Sequence, residues 1–146
     1  MGYTDVPNDR LLAFGASSIS ELDEGIAQNI PQATSYVNLI TADHLATKRG
    51  HIYVGDDLMR KDVISALMCY FCVDLEAILQ KHNRPLDYFD AELALLSEFV
   101  TAGLITIEGR FIRFQSPLKM LVRTVAAVFD TYANSSQALH RFSKVA

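Results

Sequence analysis

Two cysteines, Cys69 and Cys72, have the Cys-x-x-Cys spacing that serves thiol redox chemistry or one half of a metal site. A redox site of the thioredoxin type needs a strand before the motif, whereas these cysteines end an amphipathic helical pattern. A zinc site needs two more ligands, and the nearest histidines, His51 and His82, form no second pair with ligand spacing. We therefore interpret Cys69 as a small buried hydrophobic side chain.

The other reactive side chains are scattered along the sequence. Each of the histidines at 44, 82 and 140 lacks a nearby Ser or Cys in a nucleophile context, which is typical of surface or capping histidines. An acidic cluster before Gly25 has two interpretations, a cation site or, more commonly, a solvated loop; its members are Glu21, Asp23 and Glu24. No phosphate loop, metal motif or catalytic triad is visible, so the sequence assigns no catalytic residue and no metal ligand.

Charge and hydropathy restrict the partners. The 146 residues carry a net charge of −4 and no cluster of Lys and Arg, which gives no electrostatic attraction for a polyanion. Residues 1–10 lack a signal pattern, and no run approaches the ~18 apolar residues of a membrane span. We therefore expect a cytoplasmic protein that binds neither nucleic acid nor membrane.

The first fifty residues predict little regular structure. The run 11–16 is apolar without alternation, which is typical of a strand buried on both faces of a parallel sheet. A polar stretch, 17–29, follows, and Pro31 suits the first turn of a short helix that carries Tyr36. The segment 47–55 is interpreted as a linker that contains a short extended run, 51–54.

From Asp56 onward the apolar periodicity is helical. It predicts helices over 56–72, from 75 to about 82, over 87–102 and over 117–132, with a β-hairpin of two strands, 104–107 and 111–114, before the last helix. Three helices followed by a hairpin are the order of a winged-helix unit. The third helix carries Asp and Glu but neither Lys nor Arg, so phosphate groups would be repelled and DNA binding is disfavoured.

Several segments, in this order and spacing, resemble the C-terminal region of the oxygen-independent coproporphyrinogen III oxidases, which are radical S-adenosylmethionine (SAM) enzymes of haem biosynthesis. The resemblance covers nearly the whole chain. Its main markers are Gly15-Ala16-Ser17-Ser18-Ile19-Ser20, Gly25-Ile26-Ala27-Gln28-Asn29, Arg49-Gly50, Leu67-Met68-Cys69, Asp87-Tyr88-Phe89, Leu121 to Asp130 and Phe142-Ser143-Lys144.

The resemblance implies a fold in two parts. Residues 1–50 are expected to be a remnant of the last strand and helix of a radical SAM barrel, with a linker. Residues 51–146 are expected to form a mainly α, winged-helix-like domain with a small β-hairpin. The family's cluster motif, Cys-x3-Cys-x2-Cys, is absent from this sequence.

The resemblance also implies site residues and ligands. Ile19 is expected to contact the adenosyl part of SAM, and Arg123 to pair with a propionate of coproporphyrinogen III, although a capping or interdomain salt bridge is an equal alternative for Arg123. The implied cofactors are SAM and a [4Fe–4S] cluster, neither of which this chain is expected to hold alone. The chain departs from the family pattern at Ile26, Cys72 and Thr124, which puts contacts near these positions in question.

Three functional interpretations stand at this point. The first is a C-terminal portion of a coproporphyrinogen III oxidase that performs the oxidative decarboxylation of coproporphyrinogen III to protoporphyrinogen IX, inactive alone because the cluster-binding barrel is missing. Met1, placed inside what would be the barrel, favours this interpretation. The second is a stand-alone module that docks to a separately encoded barrel or to a tetrapyrrole. The third, which the acidic third helix disfavours, is a winged-helix DNA binder.

We predict that the isolated chain forms no iron–sulfur cluster, because Cys69 and Cys72 supply two thiolates where the family takes three from one loop. Anaerobic reconstitution with iron and sulfide, followed by ultraviolet-visible and EPR spectroscopy, tests this. A stoichiometric [4Fe–4S] signal would contradict the prediction.

Overall fold

The computed structural model describes residues 10–132. The chain packs as two compact units, Met1–Asp57 and Leu58–Ala146. Among the described residues, the first unit combines one α-helix, and the second several, with one small antiparallel sheet of three strands each. In the described part of the first unit these are β1 (Ile19–Leu22), β2 (Gly25–Asn29), α1 (Ala33–Thr41) and β3 (Thr47–Ile52).

The sheet of the first unit is ordered β1-β2-β3, with both pairs antiparallel. Strands β2 and β3 approach closely at two glycines: a Cβ on Gly25 would lie 2.2 Å from the carbonyl oxygen of His51, and one on Gly50 would lie 2.7 Å from that of Ile26. Only glycine fits at such contacts with backbone. The polar stretch 17–29 contains β1 and β2, which the sequence did not predict. The linker 47–55 is wrong over 47–52, which pair as β3, and the extended run predicted within it overlaps the end of that strand.

The expectation of a two-sided buried strand over 11–16 is also wrong. Leu11 forms an isolated antiparallel bridge with Glu21, and the residues after it continue as loop. Leu12 and Phe14 are 67% and 85% exposed. Apolar side chains alone do not make a buried strand, because burial requires neighbours and no described element covers this run.

Hydrophobic burial in the first unit is slight. Between residues 10 and 57, Ala46 is the one residue in the buried class. Large apolar side chains are instead exposed to solvent; they are Leu11, Leu12, Phe14, Leu22, Val37, Ile40, Leu45, Ile52 and Val54. Hydrogen bonds and turns, rather than a core, therefore define the backbone of this unit.

The second unit contains most of the helices. Its elements are α2 (Asp57–Tyr70), which begins at the boundary, β4 (Cys72–Asp74), α3 (Leu75–Lys81), a 3-10 helix (Leu86–Phe89), α4 (Asp90–Leu95), α5 (Ser97–Thr101), β5 (Ile105–Glu108), β6 (Phe111–Phe114), a 3-10 helix (Lys119–Leu121), α6 (Val122–Ala126) and a 3-10 helix (Ala127–Phe129). The sheet is ordered β4-β6-β5, and β5 and β6 form the expected hairpin around Gly109.

Fifteen buried side chains form the core of the second unit. Met59, Val63 and Leu67 contribute the buried stripe of α2, as the helical periodicity predicts. The other members are Val73, Leu75, Leu79, Phe89, Leu96, Ile105, Ile112, Phe114, Val122, Val125, Ala126 and Phe129. The rings of Phe89 and Phe129 meet edge to face, with centroids 5.5 Å apart.

Two predicted helices are divided in the structure. The predicted helix 87–102 consists of a 3-10 turn, α4 and α5, separated at Leu96, and the predicted helix 117–132 consists of α6 between two 3-10 turns. The helix end at Tyr70 is sharper than predicted, because Phe71 adopts a left-handed conformation with φ of 58° and the chain enters β4 at the next residue. Apolar periodicity identifies the buried face but not such interruptions.

A largely buried ion pair, Arg60–Glu92, connects elements of this core. Nη1 of Arg60 donates to Oε1 of Glu92 at 2.8 Å and to the carbonyl oxygen of Phe129 at 3.2 Å, and the two charged side chains are 13% and 14% exposed. The guanidinium also lies over the ring of Phe89, 5.4 Å from its centroid. One side chain on α2 thus holds α4 and the end of the 3-10 turn after α6.

We predict that Arg60→Met lowers the free energy of unfolding of the second unit by about 3 kcal/mol, because it leaves the Glu92 carboxylate buried without its counter-charge. Urea denaturation followed by circular dichroism measures the change. Arg84→Met is the matched control: Arg84 also lies over a ring, that of Tyr88, but is exposed, and its loss is expected to cost no more than about 1 kcal/mol. Equal effects of the two changes would contradict the prediction.

Candidate functional site

The segment that precedes β1 is a loop with an unusual backbone. We call residues 13–18 the Gly15 loop. Gly15 has a φ of 106°, which side-chain-bearing residues rarely adopt, and Ser17 has a φ of 61°. Left-handed residues in a loop persist where surrounding contacts hold them. The contacts that do so here come from β1, β2 and α1.

Side chains from three elements bind the backbone of the Gly15 loop. The hydroxyl of Tyr36, on α1, accepts from the Gly15 N–H at 3.0 Å. The amide of Asn29, at the end of β2, donates to the carbonyl oxygens of Gly15 at 3.1 Å and of Ala13 at 3.4 Å. Ser20 Oγ, on β1, accepts from the Ala13 N–H at 3.1 Å. The groups are part-buried, so these bonds define the loop in a partly dry environment.

Main-chain bonds extend the sheet alongside the same loop. The Ser17 N–H donates to the carbonyl oxygen of Ile30 at 3.0 Å, and the Asn29 N–H donates to that of Ser18 at 2.9 Å. Gln28 adds a side-chain bond to the Ser17 carbonyl oxygen at 2.9 Å. Sequence reasoning assigned no role to Asn29 or Tyr36, and their residue types alone carry no signal for it.

Ile19 follows the loop directly as the first residue of β1. It is paired with Gln28 of β2 and is half-buried. Its backbone position is thus set by both the sheet and the Gly15 loop.

Arg123 lies in the second unit, on the short helix α6, and is exposed. Within residues 10–132 its side chain forms no hydrogen bond or ion pair, and both roles considered for it from the sequence stay predictions. The next residue, Thr124, lines an open groove of about 420 Å³ together with Leu95, Phe99, Ala127 and Val128. The groove is mainly apolar, and Arg123 precedes one of its lining residues in the sequence.

Comparison with known proteins gives a consistent result. No family model matches the chain. The oxygen-independent coproporphyrinogen III oxidase of Bradyrhizobium diazoefficiens is 34% identical over 139 residues, which are 95% of this chain and 31% of that protein. The enzyme of the same name from Thermostichus vulcanus is 34% identical over 145 residues, which are 98% of this chain and 44% of that protein.

A solved structure agrees with these relatives. Coproporphyrinogen III oxidase from Escherichia coli, described as a radical SAM enzyme, superposes with a TM-score of 0.75 and 32% identity over 84% of this chain and 29% of that one. The chain is homologous to the C-terminal region of these oxidases. It spans about a third of the length of the relative from Bradyrhizobium. The resemblance read from the sequence is confirmed.

No metal site is formed in the part of the oxidase-like chain that the structure describes. Between residues 10 and 132, no three His, Cys, Asp or Glu side chains are grouped as a metal ion requires. Cys69 and Cys72 form no disulfide and are half-buried, on either side of Phe71. In the acidic cluster, Asp23 pairs with Arg10, and that guanidinium hydrogen bond lowers the pKa of the carboxyl. None of the helices within this range is both long and apolar enough to cross a membrane.

Two histidines are paired with carboxylates, which the sequence did not predict. In the first unit, Nε2 of His51 lies 3.0 Å from Oδ2 of Asp57. In the second, Nε2 of His82 lies 2.7 Å from Oδ2 of Asp62, and Lys81 Nζ donates to the same oxygen at 2.8 Å. His44 is exposed, and His140 lies outside the described residues. The first pair joins β3 to the start of α2, and the second joins α2 to the residue that follows α3.

The pKa of Asp62 is lower than usual. Burial alone would raise this pKa, but the hydrogen bonds from His82 and Lys81, with the charge of Lys81, outweigh that effect. A carboxyl with a depressed pKa in the folded state stabilises the fold above its unfolded pKa of about 4 and loses that contribution as the pH falls through the folded pKa.

We predict that Asp62→Asn lowers the free energy of unfolding by about 1 kcal/mol at pH 7, a small value because the carboxylate is partly exposed. The difference from the unsubstituted protein should shrink below about pH 4, where Asp62 itself becomes protonated. Urea denaturation at pH 3 to 7 measures it. Asp87→Asn is the control, since Asp87 is exposed and has no side-chain partner within residues 10–132. A difference that persists unchanged at pH 3 would contradict the assignment.

Proposed function

We propose that this chain acts as the C-terminal portion of an oxygen-independent coproporphyrinogen III oxidase in the cytoplasm, with coproporphyrinogen III as the substrate. The observation that carries the proposal is the similarity at 34% identity along 95% of the chain to one such oxidase. The superposition on the radical SAM enzyme from Escherichia coli supports the same assignment. The chemistry resides in the complete enzyme, of which this chain supplies about a third.

The two cysteines of this chain do not suit a [4Fe–4S] cluster. The sequence holds two cysteines, and both lie at the junction of α2 and β4, half-buried, rather than on an open loop. In the complete enzyme SAM and a [4Fe–4S] cluster supply the radical chemistry that converts propionate groups to vinyl groups. The rest of the enzyme must hold the cluster, and we propose that this chain alone has no activity.

The Gly15 loop and Ile19 are the part of this chain that we propose to contact SAM. Ile19 offers a half-buried aliphatic side chain, which suits the adenosyl moiety, at a backbone position defined by the sheet. Arg123 is the proposed propionate ligand, because its guanidinium is exposed and matches a carboxylate with two parallel hydrogen bonds. The adjacent groove offers apolar surface for a tetrapyrrole edge.

The exposed apolar side chains of the first unit support a partner surface. Leu12, Phe14, Leu45 and Ile52 are 67%, 85%, 88% and 74% exposed, and isolated soluble domains seldom leave so many large side chains in water. We propose that the cluster-binding barrel covers them. For the second unit we propose a winged-helix arrangement used for packing, since residues 85–103 contain no Lys or Arg.

We predict that this chain restores activity to an oxidase that lacks the matching region. In the test, the C-terminal 31% of the Bradyrhizobium oxidase is replaced by this chain, or the remaining barrel segment is supplied as a separate protein. Anaerobic assays with SAM, a reductant and coproporphyrinogen III should show protoporphyrinogen IX for the fusion and none for either part alone.

The controls separate substrate binding from folding. In an active fusion, Arg123→Ala should raise KM for coproporphyrinogen III about tenfold, the effect of losing a charge-assisted hydrogen bond. Arg84→Ala, an exposed arginine in the turn after α3, should leave KM unchanged. A folded, cluster-loaded fusion without turnover would refute the proposed function, whereas activity only with the separate barrel segment would favour a stand-alone docking module.

A further inference from the structure

We infer that Asn29 and Tyr36 are positioning residues that fix the backbone of the Gly15 loop, the segment that leads into Ile19. The inference rests on the proposed function for the identity of the ligand, SAM. Its structural part rests on three hydrogen bonds: Tyr36 Oη to the Gly15 N–H at 3.0 Å, and Asn29 Nδ2 to the Gly15 and Ala13 carbonyl oxygens at 3.1 and 3.4 Å.

Two of the three bonds act on the two peptide groups that flank Gly15, and the third acts on the carbonyl oxygen of Ala13. Tyr36 holds the N–H of Gly15 and Asn29 holds its carbonyl oxygen, so the two side chains together fix the orientation of the peptides that flank this residue. Gly15 needs such support because a glycine has no Cβ and can adopt many conformations other than the observed one, with its φ of 106°. Two anchored peptides reduce that freedom.

The two side chains act from elements that are themselves fixed. Asn29 ends β2, where its main chain is paired with Ser18 and with Thr47 of β3, and Tyr36 lies within α1. A loop that binds a ligand needs its residues held by such a supporting layer, because disorder of the free loop is lost on binding at a cost in affinity. Neither side chain needs to touch the ligand to affect its binding.

The geometry leaves the outer side of the loop open. The hydrogen bonds from Asn29 and Tyr36 hold the backbone toward the sheet and α1, while Phe14 is 85% exposed and Ser17 is exposed. Ile19 and Phe14 thus flank a backbone in which both polar groups of Gly15 are already paired within the protein. That combination suits a ligand portion recognised by apolar contact rather than by new hydrogen bonds.

Hydrogen exchange measured by NMR on the full chain tests the structural part. Tyr36→Phe removes one hydroxyl and keeps the ring, so the Gly15 amide should exchange about fivefold faster or more, the scale of one lost hydrogen bond. The Asn29 amide, bonded to Ser18 through main chain, should not change. Asn38→Ala on α1 is the control, because Asn38 is exposed and its side chain has no partner among the described residues.

Two results would overturn the structural part. One is an unchanged Gly15 exchange rate in Tyr36→Phe. The other is equal acceleration throughout β1, β2 and β3, which would mean that Tyr36 stabilises the whole unit rather than the loop.

Kinetics of the fusion enzyme test the functional part. Tyr36→Phe and Asn29→Ala should each raise KM for SAM about fivefold while kcat changes less than about twofold, because a loop held less firmly binds its ligand more weakly. Asn38→Ala should match the unsubstituted fusion. An unchanged KM for SAM in an active fusion would overturn the inference alone. A fusion inactive with the unsubstituted chain would refute the proposed function, and the exchange data would still decide whether Asn29 and Tyr36 hold the loop.

Discussion

Burial of the apolar stripe of α2 is the interaction on which the second unit depends. Met59, Val63 and Leu67 are 1% or less exposed and belong to a core whose other members come from β4, α3, the hairpin, α6, two of the 3-10 turns and Leu96. At roughly 25 cal/mol for each Å² of apolar surface buried, such a core is the main favourable term in folding. The Arg60–Glu92 pair is tolerated inside it because the guanidinium is also hydrogen-bonded to a carbonyl oxygen and packed on a ring.

The first unit is organised by a different balance of forces. With one buried residue in its described part, it gains little from hydrophobic burial, and its backbone order comes from strand pairing and from the side chains around the Gly15 loop. Net hydrogen-bond contributions are small, about 1 kcal/mol each. Such a unit is expected to be more stable when another surface covers its exposed apolar side chains, which is the arrangement proposed for the complete oxidase.

Sequence periodicity predicted the second unit better than the first. The apolar stripe predicted for α2 and the predicted hairpin were correct, because buried faces repeat at the helical and strand periods. The prediction for the run 11–16 was wrong because its composition suits a buried strand, whereas residues 10–132 provide no core around it. The loop side chains Asn29 and Tyr36 carried no pattern, since a hydrogen bond between residues 14 or 21 positions apart follows from the fold alone. Family resemblance, rather than periodicity, indicated Ile19 and Arg123.

The junction at Phe71 restricts the number of residues between α2 and β4. One left-handed residue connects the end of α2 to β4, and its carbonyl oxygen accepts from the Phe114 N–H at 2.8 Å. Because side chains alternate along a strand, one residue inserted at this point would move Val73 from the buried face of β4 to the open face, and one residue deleted would bring Asp74 to the buried face. Insertions and deletions are therefore much less tolerable here than at the Gly109 turn, so the spacing between α2 and β4 should vary little as these sequences diverge.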